Sequence, residues 1–133
     1  MKDKIRILFE KIYPGDVPIA KKMTYDENRK DHVVTKIAMV NGEPVGQANM
    51  FRVRNQEDVS YLGYHVHPEF RKKRIGTNLS LAVMREARKK GIKRVVIRTH
   101  PTNAASISLA KSLGFVEEKK PIKKGEISFR KDI

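Results

Sequence analysis

Between Leu62 and Thr77 the chain passes from Tyr64-His65-Val66-His67-Pro68-Glu69-Phe70 straight into Arg71-Lys72-Lys73-Arg74-Ile75-Gly76-Thr77. It reads as a strand, a basic loop and the start of a helix. The first amides of a helix have no intrahelical partner, and the helix dipole adds positive potential at the same place, so a loop that delivers them to one point is built to hold an anion. Four consecutive cations make that anion a phosphorylated ligand.

The charge of the whole chain supports this reading. The 133 residues include 29 Lys and Arg against 15 Asp and Glu, a formal net charge of +14. Residues 69 to 98 alone carry 11 basic and 2 acidic side chains, a net of +9. Such a field speeds association with anions, whether cofactor phosphates, acidic peptides or nucleic acid, and charge by itself does not choose among them. A Lys-rich surface also serves solubility, which accounts equally well for Arg85, Arg88, Lys89 and Lys90 on one helix. The length suits a single domain over residues 1–133, and 39% apolar with 33% charged residues is ordinary for a globular protein. Absence of cysteine removes disulfides, thiolate catalysis and Cys-ligated zinc. The four histidines are scattered and form no ligand cluster, so no metal is expected. Apolar runs such as Val95-Val96-Ile97 are too short to cross a membrane, and Met1-Lys2-Asp3-Lys4 opens no signal sequence. These features point to the cytoplasm.

Taken in order, Ile5, Leu8, Phe9 and Ile12 fall at helical spacing, which predicts an amphipathic helix over residues 3 to 13, ended by Pro14-Gly15. Asp16-Val17-Pro18 resembles a second helix start. Thr24 to Asp31 is polar and reads as a loop. His32–Val40, Val45–Val53 and Val59–Val66 are predicted strands of an antiparallel meander, with Asn41-Gly42 and Arg54-Asn55-Gln56-Glu57 as its turns. Gly46, Ala48 and Asn49 suggest close approach of another backbone or a bulge. A helix follows over Gly76–Lys90, with Thr77 helping to cap it and Gly91 ending it. Lys93–Thr99 is a buried strand. His100-Pro101-Thr102-Asn103 leads into a second helix that stops at Gly114, and a terminal hairpin runs from Phe115 and from Gly125 to Phe129.

The succession Val66-His67-Pro68-Glu69-Phe70-Arg71, basic loop, helix, strand, Asn103-Ala104-Ala105-Ser106 and Leu113-Gly114-Phe115 resembles the GNAT superfamily of acyl-CoA-dependent N-acyltransferases. The likeness runs from Ile37 to the end and is strongest from Leu62 to Phe115. It implies an α/β (α+β) fold whose central mixed, mostly antiparallel sheet is splayed in the middle, with helices on both faces and the pantetheine arm in the gap between the Val66 and Val95 strands. It further implies coenzyme A, supplied as acetyl-CoA, and a small-molecule or peptide amine as partners. Val66 would make main-chain contacts, and Arg71, Lys72, Lys73, Arg74, Ile75, Gly76 and Thr77 would hold the diphosphate. Asn103 would meet the pantetheine arm, although the same residue is also a plain helix cap. The family's loop is Arg or Gln, two residues, Gly, one residue, then Gly or Ala. Arg71 and Gly76 fit, while Arg74 replaces the first Gly, where a Cβ restricts the backbone but a guanidinium adds a phosphate contact.

The usual acid and base positions are vacant. A Tyr is often found seven residues after the asparagine, and here that position is Ala110. Frequent carboxylate positions hold Ser60 and Arg98. A thiol of pKa about 8.5 leaves as an anion at neutral pH for about 2 kcal/mol, so the missing acid slows transfer without abolishing it. Tyr61 or Tyr64 is a substitute, or strand packing. His65 and His100 are candidate bases, or structural histidines. Deprotonating a lysine amine of pKa about 10.4 at pH 7 costs roughly 4.6 kcal/mol, against about 1 for an α-amine. A site lacking a strong base therefore suits an α-amine or another weakly basic amine, including one on an acidic molecule drawn by Arg98. Two rival readings are a catalytically silent CoA-binding or regulatory module, and a nucleic-acid binder. The basic stretch lacks the interleaved aromatics that stack on bases, which makes nucleic acid the weaker of the two.

Overall fold

The structure, a computed structural model, describes residues 5–8, 30–41, 43–72, 74–118 and 125–133. Among the described residues, seven strands form one sheet in the order β1-β2-β3-β4-β5-β7-β6. They are β1 (Ile5–Leu8), β2 (His32–Val40), β3 (Glu43–Val53), β4 (Gln56–Val66), β5 (Arg94–Thr99), β6 (Val116–Glu118) and β7 (Ile127–Asp132). Two helices, α1 (Ile75–Lys89) and α2 (Ala104–Ser112), connect β4 to β5 and β5 to β6. All neighbours pair antiparallel except β4 and β5.

The predicted meander is present as β2, β3 and β4. Asn41 and Asn55 supply the positive φ values of its turns, 50° and 65°. Over Ile5–Leu8 the predicted N-terminal helix is not present; the rest of its span, with Pro14-Gly15, lies outside the described residues. Ile5–Leu8 is a strand, in register from Ile5 opposite Val40 to Leu8 opposite Ile37. Over so few residues an apolar pattern does not separate the two periods, and the open edge of β2 offers a ladder of hydrogen bonds that an isolated turn of helix cannot match. The second helix start at Asp16-Val17-Pro18 and the loop from Thr24 lie outside the described residues, apart from Lys30 and Asp31.

Helix α1 packs on β2, β3 and β4 through Ile75, Leu79, Val83 and Ala87, all buried at the 3.6-residue spacing. A Cβ built on Gly46 would come within 3.2–3.3 Å of Leu79, Ile75 and the His65 carbonyl. Glycine here thus lets the first turns of α1 lie close on β3. Both helices end in the same way. Ile92 N donates to Ala87 O at 3.1 Å and Gly91 N to Arg88 O at 3.2 Å, while Phe115 N donates to Ala110 O and Gly114 N to Lys111 O, both at 3.0 Å. Each is a Schellman motif, with glycine left-handed at φ 90° or 87° and the residue after it, Ile92 or Phe115, buried in the core. Leu113-Gly114-Phe115 is therefore a helix stop and core anchor.

The parallel pairing of β4 and β5 covers only Val59–Arg94, Ser60–Val95 and Tyr61–Val96. Beyond it, β4 continues from Leu62 to Val66 and β5 from Ile97 to Thr99 without pairing to each other. The sheet forks there.

Candidate active site

The fork opens into a cavity of ≈ 900 Å³ lined by β4 from Leu62 to Val66, the loop and first turn of α1, the end of β5, and α2. The direction of the β4 backbone follows from the register. His67 N donates to Val45 O at 2.7 Å, and Val66 stands opposite Gly46 and Tyr64 opposite Ala48. Antiparallel ladders alternate hydrogen-bonded and non-bonded pairs, so Leu62, Tyr64 and Val66 turn their N–H and C=O groups away from β3, toward the fork. Where β5 has diverged, the amides of Tyr64 and Val66 face the cavity instead of a strand. The Val66 carbonyl accepts from Arg71 Nε at 3.3 Å.

At the mouth, Pro68–Phe70 forms a 3-10 turn, capped by His67 Nδ1 accepting from Glu69 N at 3.2 Å. This cap uses the neutral imidazole. Lys72 and Arg74 then take left-handed conformations, φ 65° and 62°. Arg74 is the N-cap of α1, and no side chain caps that end; the expectation that Thr77 helps is not met. The first intrahelical bond is Asn78 N to Arg74 O at 3.0 Å, so the N–H groups of Ile75, Gly76 and Thr77 precede it. The first turn holds no acidic residue. Helix dipole and orphan amides remain available to an anion from outside. Lys73 lies outside the described residues.

Asn103 does cap α2: its Oδ1 accepts from Ser106 N at 3.1 Å. This leaves its amino group as a donor at the cavity wall, so cap and ligand contact are compatible. Tyr64 reaches from β4 across the fork and donates its hydroxyl to Ser106 Oγ at 3.0 Å. Burial raises the Tyr64 pKa and the Ser106 hydrogen bond opposes that more weakly. The phenol thus keeps its proton. Ser106 lies one turn before Ala110 on α2, which brings a tyrosine hydroxyl from another strand close to the helix that lacks one. Sequence spacing offers no sign of this contact between residues 42 apart.

His65 also lines the cavity, on the opposite face of β4 from Tyr64. His100 is not brought to the lining; its Nδ1 bonds to the carbonyl of Gly125 at 3.0 Å. Ser60 is wholly buried and donates to Phe51 O at 2.9 Å, while Ala110 is sealed in the core. Neither stands in for a carboxylate or phenol. Arg98 lines the cavity with its guanidinium carbon 4.7 Å from the centre of the Tyr61 ring. Among the described residues no group of His and acidic side chains is placed to hold a metal, and no helix is long and apolar enough to cross a membrane.

A mixed sheet forked at its one parallel pair, with an anion-receptive loop at the mouth, is the arrangement of an acyl-CoA-dependent acyltransferase. Residues 3–115 match the model of the acetyltransferase (GNAT) family, and the chain belongs to that family. Among solved structures, the ribosomal-protein-S18-alanine N-acetyltransferase from Escherichia coli is similar over 98% of this chain and 94% of its own, at 21% identity and a TM-score of 0.74. The ribosomal-protein-alanine N-acetyltransferase from Brucella melitensis is 27% identical over 80% of this chain and 72% of its own, with a TM-score of 0.68. The PaiA N-acetyltransferase from Thermoplasma acidophilum, in complex with coenzyme A, is 21% identical over 74% of this chain and 60% of its own, with a TM-score of 0.67.

Proposed function

We propose that this enzyme transfers an acetyl group from acetyl-CoA to a primary amine by direct attack, with an α-amine as the preferred acceptor. The observation that carries the proposal is the pair of fork-facing amides on Tyr64 and Val66, which share one cavity with the uncapped start of α1. The amides of Ile75, Gly76 and Thr77, with Arg71, Lys72 and Arg74, suit a diphosphate. From there an extended arm runs inward along β4 past Asn103 and Val66. A Cβ on Gly76 would make ordinary contacts, at 3.7–3.9 Å, with Leu109, Val66 and Tyr64, so the first turn of α1 lies directly against the inner wall of the cavity.

Acetyl-CoA supplies an activated thioester carbonyl and a thiol leaving group. In this reading the Tyr64 N–H donates to the carbonyl oxygen, and its donation strengthens as charge builds there. The acceptor nitrogen forms the new C–N bond, the C–S bond breaks, and the amine's surplus proton leaves through His65 or water. The Tyr64 hydroxyl, held protonated by burial, turns from Ser106 to give its proton to the departing sulfur and is reprotonated from water, so that the amide, the CoA thiol and the proton released by the amine account for every bond changed. No carboxylate lines the cavity among the described residues. That favours amines that are already partly neutral at pH 7, and alanine, the residue named for the similar Escherichia coli and Brucella enzymes, carries its only amine in the α position.

The test is thiol release from acetyl-CoA across a panel of amines, run beside equilibrium binding of CoA. Peptides with free α-amines are expected to outpace side-chain lysines by tenfold or more at pH 7. Faster reaction of lysine side chains would refute the acceptor class. CoA binding without thiol release for any amine would make the protein a binding module.

A further inference from the structure

The two arginines on the outward side of β5 are used differently. Arg94 is neutralised by Asp132, with Nε 2.8 Å from Oδ1. Arg98, four residues on and on the same face of the strand, enters no ion pair among the described residues. Its cross-strand partner on β7 is Ser128, which is buried and uncharged. The guanidinium lies instead over the Tyr61 ring, 4.7 Å from its centre. Stacking of this kind fixes the plane of an arginine while leaving the N–H groups of its edge free to fork a carboxylate.

Position matters as much as charge. Tyr61 and Val96 form the last rung before the strands part. Arg98 is two residues past it on β5, and Tyr64 three residues past it on β4. At about 3.3 Å per residue, the two stand at similar depth in the fork. Tyr61 and Tyr64 point to opposite faces of β4, so Arg98 with Tyr61 occupies the face away from the Tyr64–Ser106 pair. A phosphorylated arm entering at α1 fills the Tyr64 side, and Arg98 is left facing whatever enters from the other.

From this placement we infer that Arg98, held over Tyr61, binds a carboxylate on the acceptor, so that the preferred amine belongs to an acidic molecule. The inference rests on the transferase reading above. It separates the source of selectivity from the chemistry: the backbone amide handles the thioester, and Arg98 selects the amine by the charge beside it. Lysine would not replace arginine here, because an ammonium presents no planar fork.

The experiment compares kcat/KM for matched acceptors in the wild type and in R98A, R98K and R98E. One pair is a short peptide with a free α-amine and a glutamate at its second position, set against the same peptide with glutamine. The other is a free amino acid set against its amide, which distinguishes a side-chain from an α-carboxylate. CoA binding is measured in every variant. The wild type is expected to favour one acidic member by at least tenfold, R98A to reduce that ratio to within about twofold, R98K to restore it only partly, and R98E to invert it. CoA affinity should stay within about twofold throughout. An unchanged ratio in R98A, no wild-type preference, or tenfold weaker CoA binding without a change in ratio would each overturn the inference while leaving the transferase intact. CoA binding with no thiol release from any amine would overturn both.

Discussion

Arg74 and Tyr64 show how much a single side chain decides here. The left-handed backbone of Arg74, φ 62°, is one that glycine adopts freely and other residues adopt at a cost of about 1–2 kcal/mol. The chain accepts that cost at the position nearest the helix start, where a guanidinium can meet a phosphate. R74G should therefore raise stability by up to about 1 kcal/mol in denaturant unfolding while weakening CoA binding, most clearly at low salt. Greater stability together with unchanged affinity would show that the arginine makes no contact with the ligand. For Tyr64, Y64F should lower kcat by about tenfold to thirtyfold, bounded by the roughly 2 kcal/mol that an unprotonated thiol costs at neutral pH. Its alkaline stability provides a second readout. Folding holds the Tyr64 proton more firmly than the unfolded chain does, so the wild type keeps this contribution below the ordinary tyrosine pKa of about 10 and loses it as pH rises above that value. Y64F should lose less stability than wild type over that range, as followed by thermal melts from pH 9 to 11.

At the level of elements, α1 joins the fold to its chemistry. Its buried face sets its height on the sheet, and that height sets where the amides of Ile75, Gly76 and Thr77 point. Gly46 controls the approach, since a methyl group there would meet Leu79 and Ile75 side chains and the fixed carbonyl of His65 at 3.2–3.3 Å. G46A should destabilise by about 1–3 kcal/mol, the usual range for overpacking. It should also weaken CoA binding, measured by calorimetry, by more than a surface substitution on the same helix such as R85A. Loss of stability with wild-type affinity would show that the helix start holds its place independently of β3. The strand β5 illustrates the same dependence in reverse: its short pairing with β4 carries Arg98 to the inner end of the fork, although Arg98 itself contributes nothing to the core.

For the molecule as a whole, the parts readable in the sequence are those governed by local physics. The Asn41 and Asn55 turns, the period-two strands of the meander, the apolar stripe of α1 and the glycine stops at Gly91 and Gly114 all follow from neighbours within a few residues. The basic loop was legible because charge and helix start lie together. Ile5–Leu8 is a strand because the edge of β2 sets its conformation, and its partners on that edge lie 29 to 35 residues away in sequence. Tyr64 with Ser106, and Arg98 with Tyr61, were invisible as pairs for the same reason: each joins side chains that only the crossover through α1 brings together. Ser60 and Ala110 could be recognised as departures from the family pattern. That one is tied to the Phe51 carbonyl and the other is sealed in the core required the tertiary structure.

The fork itself carries a further consequence. A sheet whose halves share three paired residues has a seam, and past that seam two amides on β4 lack a strand to bond. A ligand arm lying along β4 would supply the missing rungs, so that cofactor and protein together complete what the chain leaves open. In hydrogen–deuterium exchange, the amides of Tyr64 and Val66 should exchange readily without CoA and become protected with it, whereas Gly63 and His65, bonded to β3, should be slow in both states. Protection of all four alike, with or without ligand, would mean that the seam is closed by the protein itself.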